Sequence, residues 1–151
     1  MIIFLAMGTS AAQAQIFFQT FERLSATGDA EALAGLYAAT FLSAGPDGVQ
    51  TVKTTDLIKV IPKRKEILES IGCQSTKLAS VEETKLDDHY SLVRTEWRWR
   101  FDRADGPVEI TLPSTYIVHR SGEGWRIVLY LTHDNIMNVL RDRGMLPTAK
   151  G

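Results

Sequence analysis

The spacing of apolar residues changes character once along the chain, close to Gly72. Before it, apolar positions recur at three and four residues, the period of a helix with one buried stripe. Ile16, Phe17, Phe21 and Leu24 form such a stripe, in a helix that Ser10 or Thr9 caps and that runs to about residue 26. Gly28 closes it, and Asp29 caps a second helix with Ala32, Leu33, Leu36 and Tyr37 on one face. Phe41 to Gly45 and Val49 to Lys53 flank Pro46-Asp47-Gly48, a turn signal that predicts a small hairpin. Thr54-Thr55-Asp56 caps a third helix with Leu57, Ile58 and Ile61 inward. Pro62 is expected to kink or restart it, and Gly72 to end it. The cationic run Lys63-Arg64-Lys65 in that helix reads as a solvated face.

From Gln74 on the period is two. Extended runs are expected at about 75–87, 90–102, 108–119 and 124–132, joined by short turns, as an antiparallel meander. Asp134 then caps a last helix reaching about Arg143. Helices first and strands afterwards predict an α+β domain spanning 1–151, with its core at about 10–143.

Alternation sorts the side chains of the meander by face. In 90–102, Val93, Thr95, Trp97, Trp99 and Phe101 share one side, and Arg94, Glu96, Arg98 and Arg100 the other. In 108–119, Ile110, Leu112, Ser114, Tyr116 and Val118 lie together. The last run is apolar on both sides, with Trp125, Ile127, Leu129 and Leu131 opposed to Val128 and Tyr130. Two tryptophans on one strand face are either plain core or the lining of a ligand cavity. Simple pairing through the turns sets Trp97 opposite Leu112, and Leu112 near His133. His133 is then at the cavity mouth with Asp134 beside it, poised for proton transfer or held structurally. The Trp97/Trp99 face carries no carboxylate, which points away from an enzyme.

Composition narrows the class. The chain has 151 residues, 44% hydrophobic and 23% charged, with 17 Lys+Arg against 18 Asp+Glu. The resulting charge of −1 argues against a dedicated nucleic-acid binder, whose affinity comes from concentrated positive charge. One cysteine, Cys73, excludes an intramolecular disulfide and reads as a small hydrophobe. His119 and His133 would lie roughly 23 Å apart along the sheet at ~3.3 Å per residue, too far to share a metal. No metal or cofactor is expected. Nothing approaches the ~20 apolar residues of a membrane span, so no membrane partner is expected. Met1 to Met7 is apolar, but no basic residue precedes Arg23, so a cytoplasmic location is preferred over a secretory signal.

The opening from Phe17 to Gly48, the strand RTEWRWRF and the close STYIVHRSGEGWRIVLYLTHD together resemble the nuclear transport factor 2-like superfamily, near its SnoaL-like, uncharacterised bacterial branch. The resemblance spans roughly residues 10–143. It implies a cone in which N-terminal helices cover a strongly bent antiparallel sheet, a pocket between them, and homodimers. The superfamily includes ketosteroid isomerases, polyketide cyclases and scytalone dehydratases as well as proteins that only bind or assemble. The expected function is binding of a small apolar or amphipathic molecule, against a wall of Phe17, Tyr37, Trp97, Trp99 and Tyr116 with His133 as polar contact. The alternative is a cofactor-independent isomerase, cyclase or dehydratase for a polyketide- or steroid-like substrate. His133 would be its general base, oriented by Asp134, with Tyr37 or Tyr116 stabilising oxyanion charge. A third reading is a homodimerisation module with a self-filled cavity.

Overall fold

A computed structural model describes residues 2–146, with side chains from residue 12 on. Helices α1 (Ile2–Thr27), α2 (Ala30–Ala34) and α3 (Thr54–Ser70) and a terminal α4 (Ile136–Asp142) accompany six strands. These are β1 (Tyr37–Gly45), β2 (Gly48–Lys53), β3 (Cys73–Lys85), β4 (Tyr90–Arg103), β5 (Gly106–Ser121) and β6 (Gly124–Thr132). The strands make one curved sheet in the order β2-β1-β6-β5-β4-β3. The predicted α+β architecture is what is observed, with one addition. The small hairpin joins the meander by pairing β1 parallel to β6, so the sheet is mixed.

The helical third departs from its sequence pattern in several places. Helix α1 begins at Ile2, taking in the apolar lead-in, so Ser10 and Thr9 lie inside it rather than at its cap. Its buried stripe is Ala14 and Phe18, both 0% exposed, with Phe21 beside them, whereas Ile16 is 60% exposed. Asp29 caps α2 as expected, its carboxylate accepting the Ala32 N–H at 3.0 Å. The helix nevertheless stops at Ala34, and Tyr37 opens a strand instead of completing a helical face. The Ile127 N–H donates to the Leu36 carbonyl at 2.8 Å, so sheet pairing takes over where helical spacing suggested another turn. Thr54 is the first residue of α3 and supplies no cap; its hydroxyl donates to the Ala39 carbonyl. A single helix runs through Pro62.

The meander follows its sequence more closely. Strands β4 and β5 pair with Trp97 opposite Leu112, and Ser91, Val93, Thr95, Trp97 and Phe101 are all buried. Gly72, between α3 and β3, has φ +96°, and a Cβ there would collide with the Asp102 carbonyl. Its own carbonyl accepts the Asp102 N–H at 2.8 Å, so the chain turns tightly against β4.

One irregularity repositions the candidate site. Ile117 pairs with Leu129 but Val118 pairs with Ile127, leaving Val128 as an extra residue in β6. A one-residue bulge reverses which face every later side chain occupies. Before it Ile127 faces inward with Val118; after it Tyr130 and Thr132 face inward, opposite Tyr116 and Ser114. Leu129 and Leu131, expected on the face of Ile127, pair with Ile117 and Thr115 on the outer face.

Candidate functional site

The inner face of the sheet, α1 and α3 enclose a cleft of about 820 Å³. That lies within the roughly 300–1,000 Å³ of small-molecule sites. Strand β4 contributes Trp97 and Trp99, β5 Leu112, Ser114 and Tyr116, β6 Tyr130 and Thr132, and β1 Tyr37 and Phe41. Period-two alternation aims all the β4 and β5 residues the same way. Helix α1 closes one side with Phe21 and Glu22, and α3 another with Leu57, Ile61, Arg64 and Leu68.

The floor is a set of interlocking rings. Tyr116 stacks on Tyr130 with centroids 5.0 Å apart and planes 6° from parallel. Phe18 backs Tyr116 at 4.7 Å, Phe21 meets Trp97 at 5.5 Å, and Tyr37 meets Phe41 at 4.5 Å. Each distance suits an attractive tilted or offset aromatic pair. Polar handles are embedded in this wall. Burial, reinforced by the neighbouring Tyr130, pushes the Tyr37 hydroxyl far above the usual phenol range. Burial also raises Tyr116, with Tyr130 and Tyr37 adding to it and Trp97 and then Arg64 opposing. Both hydroxyls therefore stay protonated and can donate. Trp97 is 5% exposed, and its indole N–H has no hydrogen bond of good geometry among the described residues. The Tyr116 hydroxyl lies beside that N–H.

Four sequence-predicted wall residues, Tyr37, Trp97, Trp99 and Tyr116, do line the cleft. Tyr37 does so from β1 instead of α2. Phe17 does not: it packs on Phe18 and on Trp125, 5.9 Å away, one helical position round from the cleft. His133 does not either. Its Nε2 lies 2.7 Å from the Thr115 hydroxyl, on the outer face, because the bulge at Val128 has shifted the register by one. The same shift turns Asp134 into the cleft wall. Asp134 is free to face it because Asn135 caps α4, its side chain accepting the Met137 N–H at 2.8 Å. Proton transfer by His133 to a molecule in the cleft has no geometry here.

The inner faces of β4 and β5 carry no carboxylate, whereas β3 brings Glu83 to the same side of the sheet, where it accepts the Ser91 hydroxyl at 2.6 Å, and the cleft itself has several. Helices bring Glu22, Asp56 and Glu69, and the end of β6 brings Asp134. Glu22 accepts the Leu78 N–H of β3 at 2.6 Å, and Glu69 pairs with Lys65 at 2.6 Å. Arg64, expected on a solvated face, lies at the cleft with its guanidinium 5.8 Å from the Trp99 ring centre. Among the rings of the cleft, Phe21, Phe41 and Tyr130 were also missed. Phe21 was legible as core, and Tyr130 was hidden by the bulge. Cys73 lines the cleft edge, its thiol pushed up by burial, as suits an inert small side chain. Among the described residues no group of three or more His, Cys, Asp or Glu is placed to hold a metal ion, and no helix is long and apolar enough to cross a membrane.

Helices laid over the concave side of a bent six-stranded sheet, with an aromatic cleft between, define an NTF2-like domain. The chain belongs to the family described as NTF2-like protein (DUF6841), whose model matches residues 11–135. A search of curated proteins gives no match. Among solved structures, it is similar to an NTF2-like protein with a cystatin-like fold from Novosphingobium aromaticivorans. The TM-score is 0.72 at 17% identity, over 97% of this chain and 95% of that one. A protein of unknown function from Mycobacterium tuberculosis gives a TM-score of 0.71 at 11% identity, over 86% and 74%. A ketosteroid isomerase-like protein from Erwinia carotovora atroseptica gives 0.61 at 13% identity, over 82% and 94%. Identities this low show a shared fold and carry no shared activity.

Proposed function

We propose that the protein binds a small amphipathic molecule in the cleft between the helices and the sheet. The observation that carries this reading is the aromatic wall of Phe21, Trp99 and Tyr130, each only partly buried, beside about 820 Å³ of space. Partly buried rings, held in place by the buried Trp97 and Tyr116 behind them, provide large apolar contact at little entropic cost. Titration with the uncharged fluorophore N-phenyl-1-naphthylamine tests it. Saturable fluorescence enhancement is expected in the unaltered protein, and its loss in Leu112→Trp, which puts an indole into the cleft. Absence of binding, or equal binding by a folded Leu112→Trp variant, would sink the idea.

A second reading is favoured by Asp134, which reaches the cleft wall with no ion pair among the described residues. A carboxylate in a cleft that also holds protonated tyrosines suits acid–base chemistry on a polyketide- or steroid-like substrate. Asp134→Asn should abolish any such turnover while His133→Ala leaves it intact. We further propose that a cytoplasmic homodimer is the working form, paired through the outer sheet face that carries Arg94, Glu96, Arg98 and Arg100. Light scattering that returns the mass of one chain at micromolar concentration would refute the dimer.

A further inference from the structure

Part of the charge around the cleft is already committed. Glu22 accepts the Leu78 N–H, and Lys65 pairs with Glu69. Arg64, one residue before Lys65 on α3, lines the same cleft and makes no ion pair or hydrogen bond among the described residues. Its guanidinium instead stands over the Trp99 ring, 5.8 Å from the centre. An arginine over an aromatic face keeps the N–H donors of its planar edge available. We propose that Arg64 is the specificity-determining residue of the cleft, and that it selects a ligand bearing a carboxylate on an apolar body. This rests on the cleft-binding reading above and adds the charge class of the ligand and the residue that reads it.

Three features set the charge class. The first is where the guanidinium acts. Of the charged side chains among the described residues, Arg64 is the one whose field reaches the Tyr37 and Tyr116 hydroxyls, where it favours negative charge against the effect of burial. The second is its seat. An exposed ion pair is worth little because water competes for both partners. The Trp99 ring keeps water from one side of the guanidinium and attracts the cation, so a carboxylate meeting its edge is held more firmly. The third is the count. A single guanidinium balances one negative charge, and its donors match the two oxygens of a carboxylate. Asp56 and Asp134 also line the cleft without an ion pair among the described residues, and they oppose a second negative charge such as that of a phosphate dianion. With its acid end held beside Trp99, the ligand has Phe21 and Tyr130 for its apolar body.

Calorimetric titration with naphthoate and naphthamide, which share an outline and differ in charge, tests it. Naphthoate should bind about tenfold more tightly to the unaltered protein at low ionic strength, and the advantage should shrink as salt is added. This comparison needs no variant, so it decides even where a variant misfolds. Arg64→Gln should weaken naphthoate about tenfold and leave naphthamide within about twofold. Arg64→Lys keeps the charge without the planar fork and should retain only part of the advantage. Arg23→Gln removes another exposed arginine of the cleft wall and should leave the advantage in place, which separates a local anchor from the general field. Equal or weaker binding of naphthoate, an advantage that persists in Arg64→Gln, or one lost equally in Arg23→Gln overturns the inference and leaves the cleft as a binding site. So does failure of both probes to bind a protein that takes up N-phenyl-1-naphthylamine. Failure of all three compounds overturns the cleft reading, and this one with it.

Discussion

Strands β4 and β5 run through two neighbourhoods that solve the same packing problem differently. Towards α4 the inner face carries Phe101 and Ile110, sealed by Leu140 and Ile136, with Phe101 and Leu140 at 0% exposure. Towards α1 the same face carries the buried Trp97 and Tyr116, and the rings packed on them, Phe21, Trp99 and Tyr130, are only partly buried and line the cleft. Branched aliphatics interdigitate and close a gap, whereas stiff rings with polar tips meet edge to face and leave concave space. One end of the sheet is thus a seal and the other a chamber, a difference written in side chains on a continuous backbone ladder.

The largest effect should come from breaking the seal. Phe101→Ala removes a fully buried ring and should cost about 3–5 kcal/mol of stability. Tyr130→Phe in the chamber keeps its stack on Tyr116 and should cost less than about 1 kcal/mol. Urea denaturation of both variants checks this; similar losses would erase the distinction between the two ends.

The chamber should show itself next through alkaline pH. Tyr37 and Tyr116 have folded pKa values raised above the ordinary 10.0, chiefly by burial. The stability this represents is fully present below the unfolded pKa. It falls as pH rises above about 10, because the unfolded tyrosines ionise while the folded ones resist. Each contributes up to about 1.4 kcal/mol lost per pH unit. Stability measured between about pH 9 and pH 11 should therefore drop steeply, and Tyr37→Phe should flatten the slope by about half. An unchanged slope in that variant would show that Tyr37 is not sealed from water.

These two ends were unequally legible in the sequence, and the reason is local. Along β4 and β5 the alternation is unbroken through the inward residues, so Trp97, Trp99 and Tyr116 could be assigned a face by counting. Counting fails in β6, where Val128 adds a residue opposite Ile117 and Val118. Nothing in the run WRIVLYLT marks the bulge, because it is apolar on both faces and either phase buries similar side chains. In α1 the adjacent Phe17 and Phe18 give two stripes about 100° apart, and only the sheet beneath selects Phe18. Tyr37 was placed in the wall for helical reasons and lies there for strand reasons. The carboxylates were missed because they arrive from helices, whose position over the sheet no strand pattern contains.

The smallest effect tests that bulge directly, at its two neighbouring consequences. His133 holds one bond to Thr115 on the outer face, while Asp134 lines the chamber and has no hydrogen bond of its own among the described residues. His133→Ala should cost about 0.5–1.5 kcal/mol, the net worth of a half-buried hydrogen bond, and leave cleft binding unchanged. Asp134→Asn should leave stability within about 0.5 kcal/mol, since the residue is exposed and Asn135 caps the helix, yet alter the affinity of a probe bound in the cleft. Paired denaturation and titration of the two variants reads both quantities. The opposite assignment, with binding lost in the His133 variant and untouched in the Asp134 variant, would mean that β6 runs in its unbulged register, with the histidine inward as simple alternation demands.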